Sequence, residues 1–298
     1  MNKAIVGILL ILLVVGGVYW YLRMKPTVPQ VQQQATSTSA TSSQEVTPAP
    51  STSTMSIGKS VEGRDILAYS YGTGPKKLLF VGGIHGGYEW NTVLVANQLI
   101  DYLSAHSEAV PAGLTVTVIP VLNPDGLSKV VASSTDFSVA DVASSETLQI
   151  SGRYNANGVD LNRNFDCEWS AKGTWQNTTV SGGSAAFSEP ESAAFKHYIE
   201  TTTPDAVVAW YSSAGGVYSS NCHSGVLPAT AALTALYAQA SGYPPHEVFD
   251  YYEITGDMVN WLAEQKIPAI SVLLSNHTDT EWDKNLAGIK ALLQSYAQ

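Results

Sequence analysis

Apolar and polar residues follow two different periods between residues 56 and 298. Short apolar runs bounded by turn residues predict strands, and apolar residues that recur every three to four positions predict helices. Strands are predicted at residues 66–71, 77–81, 114–122, 206–211 and 269–274, and helices at 89–105, 188–201, 228–240, 257–265 and 281–296. This alternation predicts an α/β fold in which helices sandwich a mixed central sheet.

Residues 123–187 follow neither period. A stretch of this length without regular structure is uncommon inside a packed domain, and such stretches often carry function. The stretch is rich in Gly and Asn and contains Arg153 and Arg163. We therefore interpret it as a functional loop region.

The N-terminal residues have a different pattern. Residues 4–22 form an uninterrupted apolar run that is long enough to cross a bilayer as a helix, and Arg23 follows it directly. A cleaved signal peptide is the alternative, although its apolar part is usually shorter. Residues 26–55 are rich in Ser, Thr, Gln and Pro, which predicts a flexible tether. The chain thus divides into a transmembrane anchor (1–25), the tether and one folded domain (56–298).

Cys167 and Cys222 are the two cysteines of the chain. Beyond a membrane anchor an even pair predicts one disulfide, and two buried free thiols are the alternative. The anchor, the tether and the predicted disulfide together indicate a single-pass membrane protein with its domain on the extracytoplasmic side. Charged residues make up 13% of the chain and the net charge is −10, so no basic surface indicates nucleic-acid binding.

A candidate metal site follows the predicted strand at 77–81. Gly82 and Gly83 end this strand, and His85 and Glu89 come where a helix begins. Imidazole and carboxylate groups suit Zn²⁺, and a catalytic site needs a third ligand and an open position for water. The alternative is a histidine in a turn and a glutamate that merely stabilises the start of the helix.

A candidate anion site lies in the loop region. A guanidinium is always charged and forks onto carboxylates, so Arg153, Asn162 and Arg163 together can hold an anionic group of a substrate. The alternative is that Asp160 and Asp166 pair with the arginines as surface salt bridges.

Several spaced motifs resemble, in their order, those of zinc carboxypeptidases of the carboxypeptidase A type. The motifs are residues 58–64, His85 with Glu89, the turn Asn123–Gly126 and residues 158–165. The resemblance covers residues 56–298, the whole predicted domain. It implies a zinc-carboxypeptidase-like fold with Zn²⁺ as cofactor, and it implies that His85 and Glu89 are zinc ligands.

The resemblance also implies roles for residues of the loop region and beyond. Arg153 would polarise the scissile carbonyl. Asn162 and Arg163 would bind the terminal carboxylate of the substrate. Tyr252 is similar in position to the family's mobile substrate-capping tyrosine, and a partly buried aromatic residue is the alternative for it.

The sequence departs from the family at two positions of the site. The family's third zinc ligand is a histidine at the end of a strand, where Tyr211 stands, and the family's catalytic glutamate is replaced by Leu273. A neutral phenol is a poor zinc ligand, and leucine cannot move protons. His223 and His277 are alternatives for the third ligand. We predict that Tyr211 completes the metal site and that the affinity of this site for Zn²⁺ is low.

Two functions follow from these features. The first hypothesis is a membrane-anchored member of the family that recognises the C-terminal carboxylate of peptides, with hydrolysis impaired or lost. The alternative is an active zinc carboxypeptidase that removes C-terminal residues from peptides or cell-wall stem peptides. In both, the partners are the C-termini of peptides or of peptidoglycan stem peptides, together with the membrane. A structural or adhesion role with an empty pocket is the third hypothesis.

Overall fold

The computed structural model describes residues 52–131 and 136–298. The strands are β1 (Thr52–Lys59), β2 (Asp65–Tyr71), β3 (Lys76–Val81), β4 (Leu114–Ile119), β5 (Lys172–Trp175), β6 (Thr178–Ser181), β7 (Ala206–Ser212), β8 (Gly216–Ser219), β9 (Pro245–His246) and β10 (Ala269–Leu274). The helices are α1 (Trp90–Ala105), α2 (Pro124–Ser128), α3 (Glu146–Ser151), α4 (Pro190–Thr202), α5 (Pro228–Ser241), α6 (Met258–Glu264) and α7 (Trp282–Tyr296).

One mixed sheet has the strand order β1-β2-β4-β3-β7-β10-β8-β9. The neighbours β4, β3, β7 and β10 run parallel at its centre. β2 is antiparallel to β4, β8 is antiparallel to β10, and β1 is antiparallel to β2. β5 and β6 form a separate hairpin. The predicted α/β fold with a mixed central sheet is confirmed.

Helices cover both faces of the sheet. Successive residues of a strand point to opposite faces, so they pack against different helices. All residues of β7 are buried, as expected for a central parallel strand. Val208 and Trp210 pack in the core cluster that includes residues of α1, α5 and α7. Val207, Ala209 and Tyr211 pack in the cluster that includes residues of α4 and α6. Strand alternation therefore places the side chain of Tyr211 on the α6 side of the sheet.

The first strand begins earlier than the sequence analysis predicts. β1 starts at Thr52 and pairs with β2 from that residue on, so residues 52–55 belong to a strand and not to the tether. The side chains of these residues are exposed and give no apolar pattern. Backbone pairing with β2 is therefore what holds them in the sheet. The predicted anchor (1–25) and the remaining tether lie outside the described residues. Among the residues that are described, no helix is both long and apolar enough to cross a membrane.

The region 123–187 has more regular structure than its sequence indicates. It contains α2, α3 and the β5–β6 hairpin, and each of these elements has between four and six residues. Such short elements do not establish a recognisable period. Asn123 starts α2 through its side-chain oxygen, which accepts from Gly126 N at 2.8 Å. The short strands β8 and β9 are likewise missing from the predicted set.

The predicted disulfide is confirmed. Cys167 and Cys222 are bonded across 55 residues of sequence, which joins the loop after Arg163 to the segment that follows β8. Gly256 attaches a third segment to the same loop, because its N donates to Cys167 O at 3.0 Å and its O accepts from Phe165 N at 2.9 Å. Gly256 has φ +63°, and a Cβ there would lie 2.6 Å from Arg163 O, so the close approach requires glycine.

Candidate functional site

A cavity of about 480 Å³ lies at the carboxyl ends of the central parallel strands. His85 follows the end of β3, whereas Tyr211 and Leu273 lie near the ends of β7 and β10. Parallel strands bring such positions to one edge of the sheet. The predicted site residues that line the cavity are His85, Glu89, Arg153, Asn162, Arg163, Tyr211 and Tyr252. Folding therefore brings all the predicted site residues together.

His85 and Glu89 lie side by side between β3 and α1. His85 Nδ1 is 2.9 Å from Glu89 Oε1, and both side chains are buried. Gly83 allows the chain to turn here, because it has φ +61° and a Cβ at this position would lie 2.8 Å from Val93 Cγ2. Glu89 is the residue that precedes α1. A turn and a helix start thus place two metal-binding types of side chain next to each other.

Asp160 links His85 to Arg153. Its Oδ1 lies 3.3 Å from His85 Nε2, and its Oδ2 accepts from Arg153 Nε at 2.8 Å. Burial raises the pKa of Asp160, but Arg153 and His85 outweigh this effect and hold the pKa well below its usual range. The Arg153 guanidinium also lies 4.5 Å from the centre of the Trp175 ring. The Arg153–Asp160 contact is therefore a buried ion pair and not the surface salt bridge considered as an alternative.

Backbone carbonyls hold Arg163 and leave part of its guanidinium available. Nε and Nη2 donate to Thr174 O at 3.2 Å and 2.7 Å, and Nη1 donates to Asn162 O at 2.6 Å. Since arginine has five N–H groups, one N–H remains on each terminal nitrogen. Two terminal N–H groups side by side can bind a carboxylate through two hydrogen bonds. These contacts of Arg163 are with carbonyls and do not involve Asp166.

Two donors fix the side-chain amide of Asn162. Its Oδ1 accepts from Tyr211 OH at 3.3 Å and from Met258 N at 3.1 Å. The oxygen and nitrogen of an amide group point in different directions, so Nδ2 points away from these two donors. Asn162 lines the cavity together with Arg163. The amide nitrogen is thus suited to donate to a ligand there.

Tyr211 has its hydroxyl on Asn162 and not on the His85–Glu89 pair. Its ring centre is 5.8 Å from that of His85. Burial raises the pKa of Tyr211 well above its usual value, and the carboxylates of Asp257 and Glu89 raise it further. Since only an ionised phenol is a good metal ligand, this environment does not favour Tyr211 as the third ligand.

The donors present suit a metal only in part. The close contact of His85 Nδ1 with Glu89 Oε1 lacks hydrogen-bond geometry, so both ring nitrogens and Glu89 Oε2 are buried without a hydrogen-bond partner. Among the described residues, the group of three His, Cys, Asp or Glu donors within 4.8 Å of one another is Cys167, Cys222 and His223. Both of its sulfurs are in the disulfide. His85 and Glu89 therefore have no third such donor within 4.8 Å of both among the described residues, and the arrangement does not form a closed three-ligand zinc site.

One of the two histidines considered as substitutes for the third ligand lies in the cavity. His277 lines it, its ring centre lies 4.6 Å from that of Tyr88, and burial lowers its pKa. His223 is exposed beside the disulfide, 3.7 Å from Glu168. The structure therefore separates these two histidines, which the sequence treats alike.

The carboxylates that line the cavity belong to Glu89 and Asp257, and Leu273 lines it as well. Asp257 precedes α6, and its side chain accepts from Asn260 N at 3.2 Å. Burial raises the pKa of Asp257 to about 6, an effect that Arg163 offsets only partly. The sequence analysis does not identify Asp257 as a site residue. The signal in the sequence is that Asp257 stands directly before an apolar helical run, and this signal marks it as a helix cap.

Tyr252 borders the cavity next to Arg163. The Arg163 Cζ atom lies 5.9 Å from the centre of the Tyr252 ring, and the Phe249 ring packs against that ring edge-on at 5.0 Å. Tyr252 is partly buried, and burial raises its pKa. Its position suits both interpretations from the sequence, a substrate-capping tyrosine and a partly buried aromatic residue.

The family model for zinc carboxypeptidases matches residues 44–280. The chain therefore belongs to the zinc carboxypeptidase family, as its motifs predict. Among curated proteins it is 24% identical over 245 residues to gamma-D-glutamyl-L-diamino acid endopeptidase 1 of Lysinibacillus sphaericus, covering 75% of this chain and 60% of that protein. It is 30% identical over 152 residues to a zinc carboxypeptidase of Simulium vittatum, covering 48% and 47% of the two chains. The match thus spans less than two thirds of either relative.

Two solved structures show the same fold. One is the murein-tripeptide amidase MpaA from Escherichia coli O157, with a TM-score of 0.56 and 22% identity over 81% of this chain and 91% of that chain. The other is carboxypeptidase A from Helicoverpa armigera, with a TM-score of 0.64 and 20% identity over 84% of this chain and 69% of that chain. These likenesses support the carboxypeptidase-like arrangement of sheet and helices.

Proposed function

We propose that this member of the zinc carboxypeptidase family binds the C-terminal carboxylate of peptides and that its hydrolytic activity is impaired or lost. The observation that carries the proposal is a difference between two parts of one cavity. Arg163 and Asn162 keep suitable donors for a carboxylate, whereas among the described residues no third His, Cys, Asp or Glu donor lies within 4.8 Å of both His85 and Glu89.

Carboxylate binding at this place needs no metal. The terminal N–H groups of Arg163 and the amide of Asn162 supply hydrogen bonds to a charged group, each of which contributes about 1.5–3 kcal/mol. Little bulk solvent reaches these donors, because Arg163 and Asn162 are both buried. By family resemblance, Arg153 would contact the carbonyl of the last peptide bond, and Tyr252 would close over the ligand.

Hydrolysis needs an activated water and a base beside it. Leu273 and Tyr211 occupy the positions where the family has its base and its third ligand, and neither side chain supplies what those positions require. Loss of a general base alone costs about 10²–10⁴ in rate. Family membership and the buried His85–Glu89 pair favour the alternative, an active zinc carboxypeptidase. For either function we propose that Zn²⁺ binding is weak and that His85 and Glu89 anchor it.

The ligand class follows from the relatives. The name of the murein-tripeptide amidase refers to a peptide of murein, so we propose peptidoglycan stem peptides beside ordinary peptides as ligands. An anchor at residues 1–25 and a domain on the extracytoplasmic side would bring the cavity to such peptides. The Cys167–Cys222 disulfide supports this side of the membrane, because disulfides persist in oxidising compartments.

Calorimetric titration with a peptide that has a free C-terminal carboxylate, and with the same peptide as its C-terminal amide, tests the binding. We expect the wild-type protein to bind the free acid and to bind the amide far more weakly. Arg163→Gln should abolish free-acid binding. Arg64→Gln is the matched control, because Arg64 pairs with Asp125 and does not line the cavity. Equal affinity for both peptides would contradict carboxylate recognition.

Release of the C-terminal residue in the presence of Zn²⁺ decides between the two functions. The proposal expects little or no release by the wild-type protein. Robust release that His85→Ala abolishes would instead establish the active carboxypeptidase. Zinc content after dialysis against a mild chelator is the second measurement, and we expect less than one equivalent to remain.

A further inference from the structure

Tyr211 connects the end of β7 to the loop that carries the carboxylate donors. It is buried, and its hydroxyl donates to Asn162 Oδ1 across 49 residues of sequence. Met258 N donates to the same oxygen from the start of α6. Since an amide oxygen has two lone pairs, these two bonds occupy Oδ1 fully, and the Met258 N–H, which can only donate, excludes the flipped amide.

The orientation decides which atom of Asn162 is left for a ligand. With the amide flipped, Nδ2 would face the Met258 N–H with no acceptor between them, and the Tyr211 hydroxyl would have to accept instead of donate. In the observed orientation Nδ2 points away from them, on a residue that lines the cavity beside Arg163. A donor on Asn162 next to the donors of Arg163 is what a carboxylate needs.

We infer that Tyr211 is a positioning residue for carboxylate binding, because its hydroxyl holds Asn162 with Nδ2 available to the ligand. The inference rests on the proposed function and deepens it. The tyrosine at this strand end therefore contributes to recognition through Asn162. Tyr211→Phe removes the hydroxyl alone, which leaves Met258 N as the single donor that orients the amide.

Calorimetry with the free-acid peptide and its amide measures the effect on binding. We expect Tyr211→Phe to weaken free-acid binding by about threefold to tenfold, the effect of one net hydrogen bond, and to leave the weak amide binding unchanged. Tyr237→Phe is the matched control. Tyr237 is also buried and donates to an asparagine oxygen, Asn285 Oδ1, at 2.8 Å, but it does not line the cavity. Its affinity for the peptide should equal that of the wild-type protein.

A double-mutant cycle separates positioning from a general structural effect. In an Asn162→Ala background, Tyr211→Phe should cause no further loss of free-acid affinity, because the group that it positions is absent. The same loss in both backgrounds would overturn the inference, as would wild-type affinity in Tyr211→Phe.

Nuclear magnetic resonance of the ligand-free protein tests the orientation without any peptide. The Asn162 side-chain amide signals, assigned by their disappearance in Asn162→Ala, should shift or broaden in Tyr211→Phe and stay in place in Tyr237→Phe. Unchanged signals in Tyr211→Phe would overturn the inference about Tyr211 but not the proposed function. A wild-type protein that binds no free-acid peptide would overturn the proposed function, and displaced signals would still support the positioning of Asn162 by Tyr211.

Discussion

Two buried carboxylates near the site have opposite pKa shifts because their neighbours differ. Asp160 contacts Arg153 and His85, and these two neighbours outweigh the effect of burial and lower the pKa of Asp160. Asp257 is equally enclosed, but Arg163 offsets the effect of burial only partly, so its pKa rises to about 6. Asp257 also lies directly before Met258, which donates to Asn162 Oδ1. A ligand carboxylate bound at Asn162 and Arg163 would therefore lie close to an acid that titrates near neutral pH.

We predict that free-acid peptides bind more weakly as the pH rises through about 6. Below this pH Asp257 is neutral, and above it the ionised Asp257 repels the ligand carboxylate. A rise of one unit in the pKa of Asp257 on ligand binding corresponds to about tenfold weaker binding above that pKa. Calorimetry on either side of the pKa measures this, and Asp257→Asn should remove the pH dependence while Asp101→Asn, an exposed control, retains it. A pH dependence that persists in Asp257→Asn would show that another group causes it.

The same pKa has a consequence for stability. Because the pKa of Asp257 in the folded state lies above the ordinary value of 3.8 for an aspartate, the folded state binds more protons than the unfolded state between pH 3.8 and about 6. The contribution of Asp257 to the free energy of unfolding is therefore full below this window and is lost as the pH rises through it.

At the level of elements, the pairing of β7 with β10 places Tyr211 and Leu273 side by side. The two strands are parallel neighbours, and their register pairs Leu273 with Tyr211. Both side chains belong to the core cluster on the α6 side of the sheet, and both line the cavity. The position predicted for the third ligand and the position predicted for the base thus stand next to each other, on strands rather than on loops.

We predict that Tyr211→His combined with Leu273→Glu restores zinc binding and hydrolysis far more than either change alone. Groups that act as one unit have strongly non-additive effects on rate. Zinc per chain after dialysis against a mild chelator, and release of C-terminal residues, measure the two gains. His85→Ala in the double variant is the control and should abolish both. A folded double variant that retains no zinc would show that these strand ends do not form the metal site.

At the scale of the whole molecule, the site depends on contacts between distant parts of the chain. The disulfide joins the loop after Arg163 to the segment after β8, and the hydrogen bonds of Gly256 attach the segment before α6 to that loop. The hairpin β5–β6 covers both arginines, because Thr174 O binds Arg163 and the Trp175 ring lies over Arg153. Four separate segments therefore hold the cavity wall together.

We predict that replacing both cysteines by serine lowers the free energy of unfolding. The disulfide spans 55 residues, and the chain-entropy model gives a loss of about 4 kcal/mol for a loop of this length. Denaturant unfolding of the double serine variant measures the loss, and the wild-type protein with a reductant should show a similar one. Equal midpoints for oxidised and reduced protein would mean that packing alone holds these segments.

Secondary structure could be predicted where a local period is long enough. Apolar runs predict the buried strands β3, β7 and β10, and helical spacing predicts the helices α1 and α7. Each of these elements buries a face over several residues. β1 gives no such signal because backbone pairing with β2 holds its exposed residues 52–55. The four-residue strand β8 is too short to show a period.

The sequence by itself determined the family, because motif types and their order along the chain identify it, and it predicted residues that line one cavity. Only the tertiary structure decided what each residue contacts. It buries Asp160 against Arg153, turns the Tyr211 hydroxyl to Asn162 rather than to the His85–Glu89 pair, and adds Asp257 to the cavity wall. These partners are far apart in sequence or come together through packing. No local pattern encodes such contacts, because they form only when the sheet and its covering helices are assembled.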